Sequence, residues 1–461
     1  MHNLNVLYNI FLKQMTFKYF YGYIALLFGI AFLTSCLNSN DNIPVDASPD
    51  AQLYNFSATS NYDSLGALKN AVFSIDQLNN KIYNQTPITF GFEPKNVMLK
   101  LGYAQNVFPT VEIHLSNPDS VYLWKQTDSV NIARLNKIVV TSENKANKKT
   151  YAFLLNKYLE NPDILSWNKV SDVYIPKEAT ESKTVLYNNK IYTYYRTISG
   201  IKGVQSSDGK TNTAISLSGM ISAIDLQSVK STLNGIFALD TNDAIYKTTD
   251  GINWTKINAA YPVKSVFGIL PSATNDSILS VVNQNGILKY AKTKDFTQIR
   301  VLDNVPTNLP LKSFSSVSLE DQSIYSTRFI IISGGKTSNN SFNEIVWMLQ
   351  EDGNKINSLA IKSPLSAAGA TMQASTLFLY DSKLYALCTV STGKNGIIYS
   401  KNNGVTWILN DTNQVLPPSC PYRQYASIIV DSNNYIRLFG GKTATATHYD
   451  AWEEILNKYK K

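Results

Sequence analysis

An all-β chain in two parts, a small β-sandwich of Ig-like architecture followed by a β-propeller, is what three observations predict. About seven short alternating apolar runs crowd into residues 51–160. From about residue 164 a unit marked by tryptophan or by paired glycines recurs every 42 to 60 residues. Charged residues make up only 16% of the chain, whereas aromatics reach 11% with 28 tyrosines. Tyr and Thr fit a pleated, half-buried surface, so this composition favours strands.

The N-terminus must be set aside before the fold is argued. Lys13 and Lys18 precede a mostly apolar run from Tyr19 to Leu33, and Met15 offers a second start just upstream of Lys18. The run falls short of the roughly 20 residues of a spanning helix. Leu33-Thr34-Ser35-Cys36 ends it, and Asn38, Ser39, Asn40, Asp41 and Asn42 follow with Pro44 and Pro49. That flank reads as a tether rather than a Lys- and Arg-rich stop-transfer segment. The stretch resembles a bacterial lipobox. The resemblance implies cleavage before Cys36, lipidation of its thiol, and an outer-membrane lipoprotein on the periplasmic or cell-surface face. The expected divisions are a signal peptide at 1–35, a tether at 36–50, a sandwich at 51–160 and a propeller at 164–461.

The sandwich strands are read from Leu53-Tyr54-Asn55-Phe56, Ala71 to Ile75, Asn96 to Leu101, Val111 to Leu115, Lys137 to Val140 and Tyr151 to Leu155. Polar turns such as Gln77-Leu78-Asn79-Asn80 separate them.

Beyond them, Ser166-Trp167-Asn168-Lys169-Val170 is echoed by Asn253-Trp254-Thr255-Lys256-Ile257. Tyr246 to Trp254 in turn is echoed by Tyr399 to Trp407. Weaker copies run from Val204 to Thr211 and from Tyr290 to Thr297. Equivalent positions fall near 167, 212, 254, 299, 347, 407 and 452. The spacing is that of a four-stranded blade. Seven markers bound six intervals, which favours six blades, or seven if the Trp167 strand belongs to an extra closing blade.

Ser400-Lys401-Asn402-Asn403-Gly404-Val405-Thr406-Trp407 resembles an Asp-box, and Thr248 to Trp254, with Asp250 and Gly251, is a shorter form. The resemblance implies a turn between outer strands of a blade, with the Asp or Asn side chain bonding turn amides and Trp packing between blades. Gly334-Gly335 and Gly440-Gly441, each followed by Trp347 or Trp452, resemble kelch blades. These motifs are architectural.

Chemistry is less legible. The formal charge of +8 comes from scattered lysines, and only six arginines occur, so no nucleic-acid patch is read. Besides Cys36 there are Cys388 and Cys420, one disulfide or two buried small side chains. His2, His114 and His448 lie far apart, and neither a metal site, a cofactor site nor a Ser-His-Asp set can be assembled. A sialidase needs three converging arginines; where the family's first arginine sits, in a Phe-Arg-Ile-Pro run, this chain has Val173-Tyr174-Ile175-Pro176. The propeller arginines are Arg196, Arg300, Arg328, Arg423 and Arg437, the last alternating with Ile436 and Leu438 and so read as pointing outward. Glu178, Glu181, Asp240 and Asp243 are candidates for a glycosidase carboxylate pair, yet no spacing selects two of them.

The whole arrangement resembles a family of uncharacterised Bacteroidetes-type lipoproteins, in which a lipobox precedes a short sandwich and a kelch and Asp-box propeller. Phe73-Ser74-Ile75-Asp76, Ile82-Tyr83-Asn84, Asn434-Tyr435-Ile436, Asp450-Ala451-Trp452 and Leu456-Asn457 carry the likeness, although Glu453-Glu454 stand where many members have Arg-Gly-Arg. It implies fold and location but no activity. The resulting expectation is a membrane-anchored, non-catalytic module that binds a glycan or protein on its propeller face, with loop tyrosines as contacts. The alternative is a carbohydrate-active enzyme with a carboxylate pair in the funnel. Lipidation is checked by metabolic labelling with an alkyne fatty acid: wild type should take up label and Cys36→Ala should not.

Overall fold

The computed structural model describes residues 47–63, 66–93, 96–270, 277–320, 327–361, 365, 369–409 and 416–459; Cys36 and the segment before it lie outside them. The chain forms two compact units, Met1–Leu159 and Glu160–Lys461.

The first unit holds nine strands: β1 (Asn55–Thr59), β2 (Phe73–Asp76), β3 (Lys81–Asn84), β4 (Val97–Gly102), β5 (Thr110–Leu115), β6 (Ser120–Leu123), β7 (Ser129–Val130), β8 (Leu135–Thr141) and β9 (Lys148–Leu154). They form a sheet in the order β1-β4-β7 and another in the order β2-β3-β9-β8-β5-β6. Only β3 and β9 pair in parallel. Alternation puts Phe56, Val97, Leu99, Ile113, Ile138 and Tyr151 into one core cluster, while Met98 and Lys100 between them face out. The β2–β3 turn forms because Asp76 Oδ1 accepts the amides of Leu78 and Asn79, at 3.0 and 2.9 Å, and Asn80 takes the left-handed conformation. Short β6 and β7, with β3, are the strands beyond the six runs named from the sequence.

The second unit is a six-bladed propeller. Its first blade is β11 (Glu181–Tyr187), β12 (Lys190–Thr197), β13 (Gly200–Ser206) and β14 (Thr213–Ile215), preceded by β10 (Leu165–Ser171). The second is β15 (Ile224–Thr232), β16 (Gly235–Asp240), β17 (Ile245–Thr248) and β18 (Thr255–Lys256). The third is β19 (Val263–Leu270), β20 (Ser277–Gln284), β21 (Ile287–Thr293) and β22 (Ile299–Asn304). The fourth is β23 (Lys312–Glu320), β24 (Arg328–Lys336), β25 (Val346–Asp352) and β26 (Lys355–Ile361). The fifth is β27 (Thr371–Tyr380), β28 (Lys383–Ser391), β29 (Lys394–Ser400) and β30 (Ile408–Leu409). The sixth contains β31 (Ser427–Val430), β32 (Ile436–Phe439) and β33 (Ala451–Leu456). Each of these sheets is antiparallel, and the first strand of each blade contacts the first strand of the next, with β31 returning to β11.

The sixth blade takes its outermost strand from the other end of the unit: β10 pairs antiparallel with β33, placing Trp167 opposite Glu454. Trp167 and Trp452 thus mark the same blade, which is why seven markers give six blades and none is left over. The long interval before Trp407 also has a geometric source. Trp347 and Trp452 lie on third strands, whereas Trp254 and Trp407 sit just before fourth strands.

Blades are held by packing outside and by hydroxyls near the axis. Trp254 is buried, edge-on to Tyr194 of the first blade at 5.5 Å. Trp407, expected as a second buried wedge, is only half-buried and its Nε1 donates to Gly404 O at 2.9 Å. It packs against the core cluster that contains Ile331, Leu384 and Ile398. At the axis, Thr184 N donates to Ser427 Oγ at 3.0 Å, Leu377 N to Ser315 Oγ at 2.9 Å and Thr376 Oγ1 to Ala426 O at 2.7 Å, each bond joining two blades. Tyr187, Tyr192, Tyr194, Tyr246, Tyr290 and Tyr385 are buried in the propeller core. Trp254→Ala should therefore cost about 3–5 kcal/mol and Trp407→Ala clearly less, measured by denaturant unfolding of both variants.

Candidate functional site

The turns between third and fourth strands account for the recurring sequence unit. In the second blade Thr248 Oγ1 donates to Asp250 Oδ1 at 2.8 Å and accepts Gly251 N at 3.0 Å. Asp250 Oδ1 also accepts the amides of Ile252 and Asn253, each at 2.8 Å. These bonds hold its carboxyl below the usual range despite the cost of desolvation. Ser206 with Asp208, Thr293 with Asp295 and Ser400 with Asn402 repeat the arrangement in three more blades. Asn402 Oδ1 accepts Thr406 N at 2.9 Å, so the amide performs the aspartate's role. Gly334 and Gly440 work differently. Each has positive φ and lies against the inner strand of the following blade: a Cβ on Gly334 would come within 2.6 Å of the Gln373 carbonyl, and one on Gly440 within 2.5 Å of Ser182 Oγ. Gly335 and Gly441 also have positive φ. None of these residues lines the central channel.

The channel is where the inner strands converge. It encloses a cavity of about 690 Å³, lined by parts of β11, β15, β16, β19, β23, β27 and β31 and by the loops that enter them. Hydroxyl and lysine side chains dominate the lining: Ser228, Ser265, Ser315, Ser316, Thr376 and Ser427 with Lys183, Lys230, Lys264 and Lys312. Phe314 is the only aromatic residue among the lining residues. The volume lies within the range of small-ligand sites.

A bulge in β15 shapes the mouth. Register is lost between Asp225 and Lys230, where Ser228 Oγ donates to Asp225 O at 2.6 Å and accepts Leu239 N at 2.8 Å, replacing a rung of the ladder. The bulge brings Asp225 and Gln227 into the lining. Gln227 N donates to Asp225 Oδ1 at 3.0 Å, while Gln227 Nε2 donates to Glu181 Oε1 at 3.1 Å. Burial raises the Asp225 carboxyl above the ordinary range, and neighbouring Glu181 adds to the shift. Lys230 crosses the channel from the second blade to the fourth, where its Nζ donates to Ser316 O at 2.8 Å and Ser316 Oγ at 2.6 Å. Burial pushes Lys230 down to about 7 and also lowers Lys183.

The carboxylates singled out in the sequence separate on this framework. Glu181 pairs with Arg196 at 3.4 Å, and Asp243 is ion-paired with Lys264. Asp240 Oδ1 caps its own turn, accepting Asn242 N and Ala244 N at 2.8 and 2.9 Å. Glu178 is exposed and outside the lining. Asp225 was missed. Its signal was an acid between Ile224 and Leu226, two residues with no exposure.

Apart from Arg196, which lines the channel, the propeller arginines are committed elsewhere. Arg300 bonds Asn354, Arg328 pairs with Glu351, and buried Arg423 makes a two-pronged pair with Asp450 at 2.8 and 3.0 Å. Arg437 does not point outward: it is 4% exposed, pairing with Asp431 at 2.8 Å and Glu453 at 3.0 Å. Both faces of a middle strand in a blade are covered, so alternation there does not separate inside from outside. Tyr174 is buried against Phe439, ring centres 4.8 Å apart, and is not in the channel lining. Cys388 and Cys420 are free thiols in different core clusters, and burial pushes Cys388 up to about 12.

Glu454, in the middle of the sixth blade, has no solvent exposure, and among the described residues neither carboxyl oxygen has a hydrogen-bond partner. Burial raises its folded-state pKa well above the ordinary value. For an acid shifted upward, folding is penalised once pH exceeds the unfolded pKa, and the penalty grows until the folded pKa is reached. Glu454→Gln should therefore raise the melting temperature at pH 8 more than at pH 4, read by thermal unfolding at the two pH values.

Comparison with known proteins places the chain. Residues 161–460 match the model described as the DUF6242 beta propeller domain, and residues 41–155 match the domain of unknown function (DUF6242) N-terminal domain. No curated protein matches. Among solved structures, a protein of unknown function from Dyadobacter fermentans is similar at 12% identity and a TM-score of 0.42, covering 62% of this chain and 98% of that one. An α-L-arabinanase from Penicillium chrysogenum, complexed with arabinobiose, is similar at 12% identity and a TM-score of 0.39, over 64% of this chain and 98% of that one. The Aleuria aurantia lectin is similar at 10% identity and a TM-score of 0.35, over 60% and 96%. With both domain models matched in order across nearly all of the described residues, the chain belongs to the DUF6242 family.

Proposed function

We propose that this chain is a lipid-anchored, extracytoplasmic binding protein of the outer membrane, and that the propeller channel takes up a hydroxyl-rich ligand of glycan type without transforming it. The observation that carries the reading is the 690 Å³ cavity lined by serine, threonine and lysine side chains at the convergence of the inner strands. Hydroxyls and ammonium groups are suited to the donors and acceptors of a sugar, and the ring that presents them is rigid, which lowers the ordering cost of binding. The anchor rests on Leu33-Thr34-Ser35-Cys36 and the polar tether after it. The kelch- and Asp-box-like motifs support architecture and carry no chemistry.

One observation favours a second reading, a glycosidase. Asp225 has a raised pKa and lines the cavity close to Glu181, which is paired with Arg196, so one carboxyl suited to acid catalysis has a second carboxyl nearby. Turnover of aryl glycosides that disappears in Asp225→Asn would establish it.

The binding reading is tested by screening a glycan array with the labelled protein and with Gln227→Trp, which obstructs the mouth. Retention of a saccharide by wild type and its loss in a variant of unchanged melting temperature is the expected result. Absence of retention, or retention indifferent to the obstruction, would overturn it.

A further inference from the structure

The polar groups of the channel are unequally satisfied. Lys264 is paired with Asp243, Arg196 is shared between Glu181 and the carbonyls of Ser222 and Ile224, and the hydroxyls of Ser315 and Ser427 accept backbone amides. Lys183 is different. It lines the cavity on the inner strand of the first blade, and among the described residues it makes no hydrogen bond and no ion pair. Asp225 and Glu181 act on it only at longer range. Lys230, on the inner strand of the second blade, spends two donors on Ser316 and has a third N–H left. It is near enough to Lys183 that the two charges oppose each other. Ser265, at 1% exposure, lines the same cavity with a hydroxyl that has no partner among the described residues.

A lysine and a hydroxyl without acceptors, beside a second lysine with one donor to spare, are costly in an enclosed space unless an acceptor arrives from outside. The balance of the lining agrees: five cationic side chains, with Arg196, face three carboxylates, Asp225, Asp240 and Asp243. The free groups are lysines, point charges on flexible stems, and no unpaired guanidinium fork accompanies them. The neighbouring hydroxyls suit a polyhydroxylated body better than a bare ion.

We propose that Lys183 and the free donor of Lys230 receive the carboxylate of an acidic saccharide, with Ser265 as a third donor. The proposal rests on the binding reading above and names its ligand class. Lys183 supplies the charge, Lys230 supplies charge and a fixed direction through its bonds to Ser316, and Asp225 and Gln227 at the mouth meet hydroxyls of the sugar.

Calorimetric titration of the full-length chain in detergent tests it, using oligogalacturonides and neutral oligogalactosides of equal length. The acidic series should bind at least about 10-fold more tightly, and Lys183→Met should remove that preference, the loss expected for a charge-assisted hydrogen bond. Lys183→Arg should keep the preference, because charge is retained. If Lys183→Met does not fold, competition by acetate against the acidic ligand on unaltered protein decides instead, with displacement expected. Equal binding of both series, or acidic binding unchanged in Lys183→Met and undisplaced by acetate, overturns the acidic-ligand proposal and leaves the glycan-binding reading standing. Binding of neither series overturns the acidic-ligand proposal, and together with an empty glycan array it overturns both.

Discussion

The pairing of β10 with β33 is the constraint on which the propeller depends. Six sheets that each twist in one sense can enclose a channel only if the last meets the first, and the chain makes that join with strands from opposite ends of the unit. Leu165 opposite Leu456 and Trp167 opposite Glu454 fix its register. The join is non-local, so the closed ring exists only after the final strand is in place.

Once closed, the ring is reinforced at two radii by different forces. Outside, aromatic side chains such as Trp254 and Tyr194 fill the wedge between blades, where area and burial are greatest. Near the axis the strands come too close for large side chains, and serine and threonine hydroxyls tie neighbouring backbones instead. Paired glycines at Gly334 and Gly440 allow the same close approach where even a methyl group would collide. The axis is therefore polar for a structural reason, and that polarity is the raw material of the site.

What distinguishes the channel from a merely structural polar seam is the set of groups left without partners. A buried pair in the sixth blade, Arg423 with Asp450, shows how this fold treats a charge it uses for architecture: both prongs are satisfied and Trp452 Nε1 adds a third bond at 2.7 Å. Lys183 and Ser265 receive no such treatment, although both lie in an enclosed space. Groups arranged against local stability are the usual mark of a site that serves a ligand. Asp225 belongs with them, held at the mouth by a bulge rather than by an ion pair.

The sequence by itself determined the class and repeat of the propeller, because the turns that carry Asp250 and Asn402 are local: side chain and amide lie within four residues of each other, so composition and spacing suffice. It determined the alternation of the sandwich strands for the same reason. Tertiary structure alone decided what depends on residues far apart. Trp167 joined Trp452 in one blade, Arg437 turned inward to Glu453 and Asp431, Trp407 stayed half-covered, and tyrosines such as Tyr194 and Tyr290 went to the propeller core. The channel was illegible for this reason above all. Lys183, Lys230, Ser265 and Asp225 carry no shared motif, and only ring closure brings three separate inner strands to face one cavity.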